Sequence, residues 1–298
     1  MLEILKNKFI KFITLFYNPL VLVQIGNQKI KAPLSHPLKN ILKKLPQFGF
    51  NVTRLVQYTH QYYPDTKAID IGANIGDTAA LINNYKNLPI LCIDGDPQYF
   101  KLLEQNTTQY SEVHRCLTLI GENDEQSTKT LVRDKGTASL EETGKPVTFR
   151  SLENILAEFS TFQTSKFLKI DTDGYDTIIL KGAKKFLAAQ QPVIFFEYDP
   201  FFILKQREDP FQVFELLKEC GYEYLLIYQN IGDYLVSIDL STDTTKIVDL
   251  VNYYSGREGF LYADICAFAK KDKALFETAR KNEIDYFTKL RNFSLTYA

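Results

Sequence analysis

The stretch Asp70-Ile71-Gly72-Ala73-Asn74-Ile75-Gly76-Asp77-Thr78 constrains this chain more than any other. Ala68–Ile71 before it reads as a short apolar strand, and the residues from about Thr78 to Tyr85 read as a helix. A strand, a glycine turn and a helix in that order begin a βα unit. Glycines there let the backbone approach a ligand at the opening of the helix.

The alternation continues through the chain. Strands are predicted at Ile90–Ile93, Cys116–Ile120, Phe167–Ile170, Val193–Phe196 and Tyr224–Tyr228. Between them the pattern predicts helices over Tyr99–Asn106, Leu152–Phe159, Thr177–Ala188 and Phe211–Cys220. Strands alternating with helices at this spacing predict a doubly wound, mostly parallel α/β sheet with helices on both faces. Ile265–Ala269 reads as a last, antiparallel edge strand, followed by a polar helix from Asp272 to Leu290. Upstream, residues 2–17 read as a helix, and Val21–Gln24 pairs with Lys29–Lys31 across Gly26-Asn27, a two-residue turn signal. Leu38–Leu45 and Val52–Tyr63 read as helices.

The turn excludes two common ligand classes. A dinucleotide site wants G-x-G-x-x-G, yet Asn74 stands where the second glycine would let a pyrophosphate approach. A P-loop needs Lys-Ser/Thr after its glycines, yet Asp77 follows Gly76. Acids fall at or just after the predicted strand ends: Asp70, Asp77, Asp94, Asp171 and Asp173. A polyphosphate among them would be repelled. A net-cationic ligand suits them, and S-adenosylmethionine carries a sulfonium and an ammonium against one carboxylate.

Cys92-Ile93-Asp94 ends the second strand about twenty residues past the turn, where an acid can accept both ribose hydroxyls. Lys169-Ile170-Asp171-Thr172-Asp173-Gly174 ends the fourth strand, where a doubly wound sheet presents ligand and substrate groups. Its other reading is a helix N-cap at Asp173 or Asp176 with a turn glycine. Val193–Phe196 runs into Glu197, a carboxylate aimed at the same edge or a surface acid at a strand end. His36, His60 and His114 form no triad pattern, and no G-x-S-x-G occurs. The Tyr- and Gly-rich run from Tyr253 to Tyr262 suits either sugar binding or plain aromatic packing.

These motifs, taken in order, resemble the FkbM family of methyltransferases. The resemblance rests on Asp70–Asp77, Phe167–Gly174, Leu180-Lys181-Gly182-Ala183 and Pro192–Glu197, and covers roughly residues 66–200. Asp173 stands where the family commonly has Glu, and Asp94-Gly95 where it commonly has Glu-Pro. The resemblance implies a class I, Rossmann-like fold and S-adenosylmethionine-dependent methylation of an oxygen on a sugar, glycan or small natural product, with a link to polysaccharide biosynthesis. It implies that Asp70, Gly72, Asn74 and Gly76, with the neighbouring Asp77 and Thr78, line the methionine end of the cofactor. It assigns Asp94 to the ribose and Gly121 and Glu122 to the border of adenine. Lys169, Asp171 and Asp173 would face the methyl, with Asp171 counted among the cofactor contacts. The parts expected are an N-terminal helical and hairpin extension over 1–65, the methyltransferase domain over 66–270 and a C-terminal helix over 271–298.

For the chemistry, Asp173 and Glu197 are the candidate bases, and Lys169 is the candidate to orient one of them or to stabilise a developing alkoxide. A divalent metal held by Asp171 and Asp173 is an alternative, but the sequence favours a reaction without one. Two rival readings stay open, a nicotinamide-dependent dehydrogenase or epimerase and a binding module on the same fold without chemistry. A formal net charge of −1 gives no whole-chain case for nucleic acid. Cys92, Cys116, Cys220 and Cys266 lie far apart without metal spacing and read as buried thiols, which places the chain in a reducing compartment, the cytoplasm. The apolar run from Phe9 to Ile25 is broken by Lys11, Asn18 and Pro19 and is too short to span a bilayer. It reads as a docked helix, with a peripheral membrane contact as the alternative. Nothing in the sequence fixes an oligomeric state.

Overall fold

The computed structural model describes residues 14, 16–134, 137–172, 174–257 and 261–292, the side chains of 129–145 aside. The predicted helix over 2–17 and residue Asp173 therefore lie outside the described residues, Thr14 and Phe16–Tyr17 excepted.

The described chain opens with a hairpin, β1 (Leu20–Ile25) and β2 (Gln28–Pro33), which turns at Gly26-Asn27. Helices α1 (Leu38–Lys44) and α2 (Phe50–Tyr62) follow. The alternating part begins with β3 (Ala68–Ile71), α3 (Asp77–Tyr85), β4 (Ile90–Asp94), α4 (Pro97–Thr107) and β5 (Val113–Leu117). Next, β6 (Leu119–Ile120), β7 (Glu125–Asp134) and β8 (Thr137–Arg150) form a separate sheet of order β6-β8-β7. The alternation resumes with α5 (Leu152–Glu158), β9 (Phe167–Ile170), α6 (Asp176–Gly182), α7 (Lys184–Gln190) and β10 (Val193–Tyr198). It closes with α8 (Pro200–Lys205), α9 (Gln212–Glu219), β11 (Tyr222–Gln229), β12 (Tyr234–Asp239), α10 (Thr244–Ser255), β13 (Ala263–Ala269) and α11 (Lys273–Leu290).

Among the described residues eight strands make the main sheet, in the order β12-β11-β13-β10-β9-β3-β4-β5. The run from β10 to β5 is parallel, as the alternation predicts. Both faces are covered, so the inner strands are apolar except for the charged residues near their carboxyl ends. On one face Ile69, Ile71, Leu91, Ile93, Leu168, Ile170, Ile194 and Phe196 join the core under α6, α7, α9 and α10. On the other, Ala68, Cys92, Phe167 and Phe195 join α2, α3, α11 and the inward residues Val23, Ile25 and Ile30 of the hairpin. At the α2–α11 contact, Glu283 is fully buried and accepts from Arg54 Nε and Nη2, each at 2.7 Å, and from the Tyr58 hydroxyl at 3.0 Å. All four cysteines are buried free thiols.

Two expectations about elements are corrected. The strand expected at Ile265–Ala269 is antiparallel but not an edge: β13 lies between β10 and β11, and β12 is the edge. Ala263-Asp264-Ile265-Cys266-Ala267-Phe268-Ala269 is nearly all apolar, the mark of a strand covered on both sides. The helix expected over Thr177–Ala188 is two helices, α6 and α7, broken at Ala183. At Gly182 a Cβ would come within 2.6 Å of the Glu122 Cα, so the passing chain leaves room only for glycine there.

Candidate active site

The chain winds outward from β3 through β4 to β5, then returns to β9 and β10 on the other side of β3. The order therefore reverses between β3 and β9, and a doubly wound sheet opens its binding crevice at the carboxyl ends of such a pair. Asp70 and Lys169 are register partners on these two strands, so their side chains project from the same face.

Gly72 begins the turn with φ +77°, and a Cβ there would lie 1.9 Å from the Asp171 carbonyl oxygen. The close approach that requires glycine is thus between two loops of the protein. Asn74 follows in the left-handed region at φ +50°. Gly76, at φ +87°, precedes the first turn of α3, where Asp77 is placed well for the helix dipole. Most amides of the turn are already used. Gly72 and Ala73 donate to the Ile93 carbonyl, Asn74 to Asp94 and Gly76 to the Ala73 carbonyl. The turn offers a fixed backbone rather than a nest of free donors, which again disfavours a polyphosphate ligand. Thr78 is buried in the first turn of α3.

Lys169 sits at the centre of the acids. Its Nζ lies 3.2 Å from Asp70 Oδ1 and 3.1 Å from Asp171 Oδ2. Asp70 is 1% exposed, whereas the Asp171 side chain is 51% exposed and opens to solvent. Burial alone would lower the Lys169 pKa, but the carboxylates of Asp171, Asp70 and Asp77 outweigh it and raise the net value. Burial raises Asp70 in turn, with Lys169 opposing. The same pair of effects acts on Asp77. Among the described residues Asp70 Oδ2 has no hydrogen-bond partner, an unusual state for a buried carboxylate oxygen.

Asp94 is buried at the end of β4. Its Oδ2 accepts from the Asn74 amide at 2.7 Å and its Oδ1 from the Asp96 amide at 2.8 Å, which ties the glycine turn to the next strand end. His36, from the N-terminal region, lies with Nε2 3.3 Å from Asn74 Oδ1. Gly121 and Glu122 keep different company. Gly121 donates to the Arg150 carbonyl and packs on Phe149, and both residues press against Gly182 at the end of α6. Their described contacts are with these groups, not with Asp94. His60 meets the Tyr85 hydroxyl and Lys86, and His114 packs on Phe162.

Glu197 is buried near the end of β10. Two further acids join this side of the crevice. Asp176, mentioned in the sequence only as a cap, opens α6 fully buried. It accepts from Thr172 through the amide at 3.2 Å and the hydroxyl at 2.9 Å, and from the Glu197 amide at 3.2 Å. It thereby fixes the loop after β9 to the end of β10. Burial, then the charge of Asp171, pushes its carboxyl up to about 7. Asp264, which the sequence reading passed over, is the register partner of Glu197 on β13. Burial and the charge of Asp171 hold it well above the usual carboxylate range. An acid interrupting an otherwise apolar strand was the signal that could have found it. Among the described residues no three His, Cys, Asp or Glu side chains are grouped as metal ligands.

Comparison with known proteins follows the same lines. Residues 70–224, more than half of the chain, match the family model described as the methyltransferase FkbM domain. Among solved structures, a methyltransferase FkbM from Methylobacillus flagellatus KT is 17% identical with a TM-score of 0.37; the match covers 56% of this chain and 43% of that one. A precorrin-6y C5,15-methyltransferase from Geobacter metallireducens GS-15 is 13% identical, TM-score 0.37, over 69% of this chain and 80% of that one. A tRNA (uracil-54, C5)-methyltransferase from Pyrococcus abyssi, in complex with S-adenosyl-L-homocysteine, is 8% identical, TM-score 0.40, over 84% and 44%. The chain thus spans less than half the length of the first and third of these proteins. No curated protein matches.

Proposed function

The chain belongs to the FkbM methyltransferase family, and from that premise we propose that it methylates a hydroxyl of a sugar, glycan or small natural product with S-adenosylmethionine as donor. The observation that carries the donor is Asp70. Its carboxylate is buried at the switch point, shares Lys169 with Asp171, and keeps one oxygen without a partner among the described residues. An ammonium group supplies what that oxygen lacks. Asp70 with the glycine turn of Gly72, Asn74, Gly76, Asp77 and Thr78 would hold the methionine end, and Asp94 the ribose. Asp171 would line the same crevice. Gly121 and Glu122, packed against α6, support an adenine contact less directly.

When bound, the donor supplies a methyl on a sulfonium whose departure leaves a neutral thioether, so no acid is needed to assist it. The protein's part is to hold the acceptor hydroxyl in line, exclude water and take its proton. Positioning contributes about 7–11 kcal/mol in well-oriented systems. Glu197, and Asp173, which follows β9 in the sequence, are the bases we propose. Lys169, fixed between Asp70 and Asp171, would hold the acidic wall in place.

A methyl-transfer screen against glycan and small-molecule acceptors, read by mass, tests the reading. Glu197→Gln should keep donor binding and lower turnover by about 10²–10⁴-fold. Weakened donor binding with unchanged turnover would make Glu197 a ligand rather than a base.

A further inference from the structure

From residue 4 to residue 64 the chain carries nine Lys or Arg and no Asp or Glu, although its overall formal net charge is −1. The structure leaves much of this charge exposed. Arg54 is used internally by Glu283, but Lys29, Lys31, Lys39, Lys43 and Lys44 are exposed on the hairpin and α1. Large apolar side chains of the same segment are exposed as well. Phe16 is 80% exposed, Tyr17 69% and Leu22 63%, and Leu20 also projects outward. Leu22 and Lys31 are register partners, so the apolar and basic groups share the hairpin's outer face while Val23, Ile25 and Ile30 face the core.

Large apolar side chains projecting among lysines, with no acid in the segment, match an anionic lipid surface: the lysines meet the headgroups and the apolar groups enter the acyl boundary. Nucleic acid would use the charge but leave Leu20, Leu22 and Phe16 exposed. We propose that the outer face of this hairpin, with Phe16 and Tyr17, docks the protein on an anionic bilayer. The face is linked to the crevice. Asn106 accepts from the Lys31 amide at 2.7 Å and donates to the carbonyls of Lys31 and of Ile75 in the glycine turn, both at 2.8 Å. His36 of the same region reaches Asn74. Docking would therefore set the carboxyl-edge crevice beside the bilayer, where an acceptor carried on a lipid would be presented.

The test is flotation of the full chain with phosphatidylcholine vesicles, with and without phosphatidylglycerol. The protein should float only with the anionic vesicles and be released by high salt. Leu20→Glu with Leu22→Glu should abolish flotation while thermal stability stays unchanged, since both side chains are solvent-exposed. Lys29→Gln and Lys31→Gln should each weaken partitioning about fivefold, the equivalent of roughly 1 kcal/mol per basic residue near the surface. Absence of flotation, flotation that ignores both sets of substitutions, or tighter binding to a single-stranded oligonucleotide than to the vesicles would each overturn the proposal.

Discussion

Replacing Lys169 by Met should cost stability in a way that depends on pH. The Lys169 side chain is 6% exposed and bridges two unequal acids. Asp171 is half exposed, so its share of the loss stays below about 1 kcal/mol. Asp70 is not: it is buried, and without Lys169 neither of its oxygens keeps a partner among the described residues. Removing one member of a buried pair costs about 3–5 kcal/mol. The carboxyl can escape part of that cost by taking a proton. Its pKa in the folded protein is already raised by burial, and Lys169 is what holds it down. Without the lysine it climbs further. A group whose folded pKa lies above its unfolded value is harmless below the unfolded value, about 4 for Asp, and costs stability as pH rises through the folded one. Urea unfolding of both proteins should therefore show a gap of about 3–5 kcal/mol near neutral pH that shrinks toward pH ~4. A gap below about 1 kcal/mol at neutral pH, or one of equal size at both, would show that Lys169 is not what sustains the buried Asp70 carboxylate.

Asp176→Asn should flatten the pH dependence of stability. In the native chain this carboxyl is raised to about 7, so its neutral form is stabilising at low pH and that contribution fades as pH rises toward neutrality; denaturation midpoints measured across that range should lose this slope in the variant. Gly72→Ala should lower stability by more than about 2 kcal/mol, since it combines a left-handed backbone with a methyl 1.9 Å from the Asp171 carbonyl. Because Gly72 packs against the Asp171 loop, calorimetry should find donor binding and thermal stability lost together.

The parallel sheet was legible because its strands are short apolar runs ending in acids. Phe167–Ile170 and Ala68–Ile71 are bounded in the structure at the residues the pattern predicts. The β7–β8 hairpin was not legible: Glu125 to Arg150 is polar on the whole and lacks the apolar alternation that marks a strand buried on one face. Helix α10 was legible and missed, since Ile247, Leu250, Val251 and Tyr254 fall at helical spacing and are buried. At the site, the sequence brought forward Asp70, Lys169, Asp171 and Glu197 because each stands within a residue of the end of a strand in the parallel set. Asp264 escaped because it enters from the antiparallel strand, whose register against β10 depends on a long connection that no local pattern encodes. Asp176 looked like a helix cap because its partners, Thr172 and the Glu197 amide, become neighbours only when β9 and β10 pair.

Isothermal titration measures directly whether the acid-lined crevice at the carboxyl ends of β3, β4 and β9 holds S-adenosylmethionine. Micromolar-range binding of S-adenosylmethionine and of S-adenosylhomocysteine is expected, with no heat with NAD and a loss of about 1–3 kcal/mol of affinity in Asp94→Ala. Binding of NAD in preference to S-adenosylmethionine, or unchanged affinity in Asp94→Ala, would contradict that assignment of the crevice.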